Sequence, residues 1–280
     1  MYNSVNDKYR KLINILKNID KDNIVIAFSG GVDSSLLTAI AVRTLGYDRV
    51  TAITIDMPFI PRHEIEWSKN IARTINVKHI ILRLEINDPR IWSNPPNRCY
   101  LCKKMVFGKI IEYAKRNLRS YVIMDATNAD DLKKYRPGIK ALKELGIMSP
   151  LAMAGLSKSN IRLLAKSIGL PNWNQPSSPC LATRIPYGEK ITLERLRRIE
   201  EAEKIIKEYV GARTVRVRDH GIIARIEVGR KERKLFFNED VMDKIYNALR
   251  ELGYIFVTLD LYGYREGSID EALNKEKHSS

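Results

Sequence analysis

Ser29-Gly30-Gly31-Val32-Asp33-Ser34-Ser35 lies between an apolar strand pattern at 24–28 and an apolar helix pattern at 33–45. A strand that ends in a glycine turn and opens a helix points backbone N–H groups at one spot. The helix dipole adds positive potential there, so the spot suits a phosphate. Gly30 and Gly31 let the main chain approach an anion closely. Ser29, Ser34 and Ser35 add hydroxyls, and Asp33 is placed to orient the loop or to hold Mg²⁺. The run is neither Gly-x-x-x-x-Gly-Lys-Ser/Thr nor Gly-x-Gly-x-x-Gly, and no lysine is expected to reach into it. An ordinary Ser/Gly turn would not need two glycines, an aspartate and three serines in a strand-to-helix setting.

The second chemical feature is the cysteine set: Cys99, Cys102 and Cys180. An odd count in a protein expected to be cytosolic argues against a disulfide framework and for chemistry. Structural zinc sites need four ligands, and His63, His79, His220 and His278 offer no finger spacing. Cys99-Tyr-Leu-Cys102 follows the loop Trp-Ser-Asn-Pro-Pro-Asn-Arg, unlike a thioredoxin-type pair. Three thiolates can hold a [4Fe–4S] cluster and leave one iron open. Three unrelated cysteines are the other reading.

The elements that must place these residues alternate. Strand patterns at 24–28, 50–56, 79–86 and 121–127 are separated by helical patterns at 33–45, 62–75 and 103–117. A loop and helix follow at 134–147, and a helix at 157–168 is capped by Ser157. This order predicts an α/β fold with a doubly wound parallel sheet. Ligands bind such sheets beyond the carboxyl ends of the strands, and the glycine loop, Asp56, Asp125 and Asn128 all follow strand ends. Residues 171–192 hold four prolines and read as a linker carrying Cys180. Beyond it, a helix at 192–209, two alternating strands at 214–229 turning at Asp219-His220-Gly221, a helix at 239–252 and a strand at 254–261 predict a smaller α+β domain. The expected division is 1–190, 191–268 and a flexible tail from 269 to 280.

The chain has 280 residues, 44% of them hydrophobic, enough for a substantial core. No apolar run reaches the ~18–20 residues of a membrane helix. The first residues read as a polar amphipathic helix, so a cytoplasmic protein is expected. Lysine and arginine exceed acids by 48 to 33, a net charge of +15. That surplus fits anionic nucleotide substrates, or RNA.

The loop resembles the SGGxDS pyrophosphate loop of the PP-loop ATP pyrophosphatase (adenine nucleotide alpha hydrolase-like) superfamily. Those enzymes split ATP between the α and β phosphates and adenylate a carbonyl or carboxylate. DATNADDLKKYRPG, SPLAMAGLSKSNIR, PSSPCLATRIPYG and VRVRDHGIIARIEV narrow this further. From about residue 20 to about 265 the chain resembles the LarE family, sulfur transferases of nickel-pincer nucleotide cofactor biosynthesis. The resemblance implies Mg·ATP-dependent adenylation of a carboxylate of pyridinium-3,5-dicarboxylate mononucleotide and its conversion to a thiocarboxylate. One branch of the family spends the sulfur of the single cysteine in Pro-Cys-Leu-Ala. The other holds a [4Fe–4S] cluster on three cysteines, and this chain matches it with Cys99, Cys102 and Cys180. On that reading Asp33, Asp125, Asp131 and Cys180 are catalytic, and Asp56 and Met57 meet adenosine. Thr127, Asn128 and Asp131 surround the reactive carboxylate or Mg²⁺, and Arg136 binds pyrophosphate. Arg184, Arg216 and Arg218 hold substrate phosphate; a solvated strand face is the bland reading of the last two. His220 is read as structural. A sulfide source or sulfur-donor protein and a homo-oligomer are also implied.

Two other classes compete. A PP-loop tRNA thiolation enzyme would suit the charge, but the additional CxxC zinc modules of such relatives are missing. A non-catalytic nucleotide-binding module would have no use for a full cysteine set. A glutamine-fed amidotransferase is not expected, since no glutaminase pattern is read in these residues.

Overall fold

The computed structural model describes residues 2–133, 136–265, 267 and 268. In chain order these form α1 (Tyr2–Lys17), β1 (Asn23–Ala27), α2 (Val32–Leu45), β2 (Val50–Asp56), α3 (Arg62–Ile75), β3 (Lys78–Arg83), α4 (Pro89–Trp92), α5 (Arg98–Asn117), β4 (Tyr121–Met124), α6 (Pro137–Glu144), α7 (Pro150–Met153), α8 (Lys158–Ser167), α9 (Leu193–Val210), β5 (Val215–His220), β6 (Ile223–Val228), α10 (Glu239–Glu251) and β7 (Phe256–Leu259). They divide into two compact units. The first takes the residues up to Ile86 and Asn97–Ser177; the second takes Asn87–Pro96 and the described residues from Ser178 onward.

The first unit is built on a parallel sheet in the order β3-β2-β1-β4. From Ile24 to Ala27 the central strand β1 is apolar because both its faces are covered. Ile24 and Ile26 pack with Leu12, Leu16, Leu36 and Ile40. Val25 points the other way, to Ile53, Phe107, Ile110 and Ile123. Strand order reverses at β1, whose neighbours β2 and β4 lie on either side of it. The phosphate loop therefore leaves the sheet at the switch point where such folds bind ligands. The doubly wound α/β fold predicted from the alternation is the fold observed.

The second unit carries a separate sheet, β5-β6-β7. β5 and β6 form a hairpin, and β7 returns parallel to β6 after α10. Val215, Val217, Ile226, Ile245 and Leu249 fill its core.

Several boundaries differ from the sequence reading. α5 begins at Arg98, five residues earlier than read, so Cys99 and Cys102 lie within its first two turns. The prolines at 95 and 96 stop just short of it, and nothing from 98 on disfavours a helix. The third strand stops at Arg83, and the fourth at Met124, which releases Asp125 and Thr127 into the loop. α4 and α7 are single turns with a proline in the first turn, too short for a periodic signal. The hairpin turns at Gly221-Ile222, one residue later than read, since His220 still pairs with Ile223. Residues 178–190, read with the first domain, group with the second unit. The expected tail at 269–280 lies outside the described residues.

Candidate active site

The loop after β1 is held from within. Gly30 adopts φ +73°, and a Cβ on it would meet the Ser68 backbone at 2.9 Å, so only glycine fits. Ser29 N–H donates to Ser34 Oγ at 3.3 Å, the two hydroxyls share a bond of 3.2 Å, and Ser34 Oγ donates to the Gly31 carbonyl at 3.1 Å. Ser35 is fully buried and accepts from Asn172 Nδ2 at 2.8 Å. Ser34 and Ser35 were read as phosphate donors. Here they brace the loop, because in the first turn of α2 both side chains face the interior. What stays available is backbone: α2 starts at Val32, and its N-cap, Gly31, has no side chain to take the first N–H groups. The first N–H groups of a helix have no partner within it, so this end is prepared for an anion.

A carboxylate cluster adjoins the loop. Asp33 accepts from Asn128 Nδ2 at 3.2 Å and forms an ion pair with Lys158. Asn128 is buried; its Oδ1 accepts from the N–H groups of Asp130 and Asp131, at 2.9 and 3.1 Å, and its own N–H donates to Asp131 Oδ2. Asp131 pairs with Arg136 at 2.9 Å. Asp125, 4% exposed, accepts from Thr127 and Ser149 hydroxyls and has Lys103 Nζ at 3.8 Å. Asp33, Asn128 and Asp131 thus form one connected network, and Asp125 with Thr127 forms a second. Asp56 stands apart, paired with Arg62, which also donates to the Met57 and Ile60 carbonyls. Met57 itself is buried, 6% exposed.

Lys158 corrects the expectation that no lysine reaches the loop. It lies 125 residues beyond Asp33 in sequence. One signal was present: Lys158 opens α8 directly after the cap Ser157. A cation at the positive end of a helix is disfavoured unless an anion faces it, and Asp33 does so. Asp130 accepts the Lys158 N–H at 2.8 Å. Lys103, Ser149 and Asn172 were also not anticipated; each meets its partner only through the fold.

Cys99 and Cys102 are half-buried, three residues apart and so on one face of α5. Cys180 belongs to the second unit and is likewise half-buried; none of the three forms a disulfide. Among the described residues, no three His, Cys, Asp or Glu side chains converge as a metal-binding group. The thiols suit an iron–sulfur cluster by donor type.

Arg184, expected to hold substrate phosphate, is instead committed to the protein. It is 1% exposed, forks onto Glu203 at 2.8 and 3.0 Å, and donates to the carbonyls of Pro179 and Cys180 at 2.6 and 3.0 Å. Burial alone would lower its pKa, but the Glu203 carboxylate raises it; the same pairing holds Glu203 down despite burial. Arg184 therefore fixes the main chain at Cys180. Arg216 and Arg218 share a face of β5, opposite Val215 and Val217, and that face is buried rather than solvated. Arg218 donates to the Thr183 carbonyl at 2.8 Å and to Glu227 at 2.7 Å, while its buried Nε finds no hydrogen-bond partner among the described residues. Burial, then the nearby Arg184 charge, pushes the Arg216 guanidinium below its ordinary value. An anion there would relieve both. His220 accepts from Arg225 Nε at 3.3 Å on the hairpin, and Arg225 in turn pairs with Glu227, the carboxylate that also holds Arg218.

No helix among the described residues is long and apolar enough to cross a membrane. The NAD synthase family profile matches residues 4–94. The glutamine-hydrolyzing GMP synthase of Aeropyrum pernix is 27% identical over 67% of this chain and 40% of its own length. An uncharacterized protein of Synechocystis is 39% identical over 91% of this chain and 94% of its own. The pyridinium-3,5-bisthiocarboxylic acid mononucleotide synthase of Lactiplantibacillus plantarum is 35% identical over 96% of this chain and 95% of its own. With that extent of likeness and the PP-loop architecture around Ser29–Ser35, the chain belongs to the LarE family of PP-loop ATP-using enzymes.

Proposed function

We propose that this enzyme uses ATP to adenylate a carboxylate of pyridinium-3,5-dicarboxylate mononucleotide and replaces the adenylate with sulfur. The observation that carries the ATP half is the helix start at Val32, whose first N–H groups have no helical partner, behind a glycine that admits no Cβ. A carboxylate at neutral pH is a poor electrophile, and adenylation supplies the leaving group. Backbone amides at 31–33 and the Lys158 ammonium would bind the departing pyrophosphate, already oriented before charge develops. Asp33, Asp125 and Asp131, with Thr127 and Asn128, would serve Mg²⁺ or the reacting carboxylate; Mg²⁺ on a nucleotide needs only one or two protein carboxylates. Asp56 and Met57 would border adenosine, and Arg136 would reach pyrophosphate. Arg216 and Arg218 would hold the mononucleotide phosphate, as their buried positive charge suggests.

Sulfur enters as sulfide or thiolate, the nucleophilic form, and displaces AMP. Without a cluster, the Cys180 thiolate, positioned by Arg184, would make this attack; the thioester formed would then lose the Cys180 α proton and break its Cβ–Sγ bond, leaving the thiocarboxylate on the substrate and dehydroalanine at position 180. A [4Fe–4S] cluster held by Cys99, Cys102 and Cys180 would supply sulfide for repeated turnovers. A homo-oligomer through the second unit completes this reading; Phe237, Phe256 and Leu261 there are 74%, 54% and 86% exposed.

The test is pyrophosphate release from ATP that depends on the mononucleotide, with thiocarboxylate identified by mass spectrometry. No release would overturn the proposal. Iron and acid-labile sulfide on protein purified without oxygen decide the sulfur route. About four irons, lost in Cys99→Ala and Cys180→Ala, support the cluster. Little iron after reconstitution leaves Cys180 as a single-turnover donor.

A further inference from the structure

Asn172 lies outside every helix and strand, just past the end of α8, and is 1% exposed. Its Nδ2 donates to the Gly30 carbonyl and to Ser35 Oγ, both at 2.8 Å. The two acceptors sit at opposite ends of the phosphate loop, 142 and 137 residues away in sequence. A carbonyl can only accept, so the amide nitrogen must face Gly30. Asn172 Oδ1 is then buried with no hydrogen-bond partner among the described residues. An unsatisfied buried acceptor is costly. The orientation serves the loop, since Asn172 itself gains less by it than a fully paired amide would.

The Gly30–Gly31 peptide is planar and trans, so its C=O and N–H point in opposite directions. Drawing the Gly30 carbonyl toward Asn172 turns the Gly31 N–H away from it, to a long 3.3 Å contact with Ser29 Oγ. A glycine at φ +73° has little to resist a flip of this peptide. A flip would present the carbonyl oxygen to an incoming anion in place of the amide.

We propose that Asn172 is the positioning residue that locks the phosphate loop in its anion-accepting state. It acts through Gly30 and Ser35 and touches no phosphate itself. This rests on the ATP-binding role of the loop given above.

The test uses the full chain and two probes measured by calorimetry, inorganic pyrophosphate and pyridinium-3,5-dicarboxylate mononucleotide. Asn172→Asp keeps the shape but offers no donor and repels the Gly30 carbonyl. Its Kd for pyrophosphate is expected to rise about tenfold or more, with the Kd for the mononucleotide within about twofold of wild type. A uniformly loosened protein would lose both. If the carboxylate prevents folding, Asn172→Ala removes the donor without adding a charge, and the same split is expected. A folded variant of either kind with wild-type pyrophosphate affinity overturns the inference. Wild-type protein that binds no pyrophosphate or ATP overturns the reading of the loop beneath it.

Discussion

At the scale of single residues, the site depends on charges that meet across long sequence distances. Lys158 is the cation next to Asp33. Replacing it with methionine is expected to slow pyrophosphate release about 100-fold, measured at saturating mononucleotide; an unchanged rate would remove Lys158 from the phosphate site. His79 acts on the strand that feeds the loop. Thr54 Oγ1 donates its one proton to the Phe28 carbonyl at 2.7 Å, so it accepts from His79 Nε2–H at 2.8 Å. Burial, then the Lys69 charge, lowers the His79 pKa below 6.5, and His220 shifts the same way through burial and Arg225. The unfolded chain therefore takes up these protons first. Stability is full above about pH 6.5 and declines as pH falls below it. The urea midpoint should drop between pH 7.5 and 5.5, and His79→Gln should shrink that drop. An equal drop in the variant would place the titration elsewhere.

At the scale of elements, the hairpin that carries Arg216 and Arg218 is fastened by Asp219. This carboxylate is wholly buried and receives Arg195 at 2.7 Å, Arg198 at 2.6 Å, Tyr254 Oη at 3.0 Å and the Gly221 N–H at 3.1 Å. Asp219→Ala would take the carboxylate from Arg198 and Tyr254 and leave Arg195 only the Glu189 carboxylate, at a cost of about 3 kcal/mol. Amide exchange in residues 215–228 is the direct readout, and unchanged protection there would refute the anchoring role. Elements also show what the sequence disclosed and what it withheld. The alternation of apolar strands with helices, and the glycine loop joining β1 to α2, were visible because each is a local pattern. The inward turn of Ser34 and Ser35 was not, since it depends on which face of α2 meets the sheet. The early start of α5 was hidden by the prolines ahead of it. The commitment of Arg184 to Glu203 reverses its expected role because only the packing of α9 brings that carboxylate up.

At the scale of the whole molecule, the chain crosses between its units more often than a linear division at 190 implies. Residues 87–96 leave the first unit, pack into the second and return. Ile91 is 1% exposed, Asn94 Nδ2 donates to the Ile185 and Pro186 carbonyls at 3.2 and 2.6 Å, and the Ile191 N–H reaches the Trp92 carbonyl at 2.8 Å. The Asn94 and Trp92 bonds fix the stretch just after Cys180 and Arg184, which no local pattern in 171–192 foretells. A fragment of residues 178–268 keeps β5, β6 and β7 with their core but lacks this segment. It should be less stable than the same fragment with 87–96 joined to its front by a glycine linker, by about 3 kcal/mol or more from the lost isoleucine burial and hydrogen bonds. Denaturant midpoints of the two fragments measure this, and amide exchange should place the loosening at 185–191. Equal midpoints would mean that 87–96 merely lies against the second unit, and that the turn bearing Cys180 is held by Arg184, Glu203 and Arg218 without it.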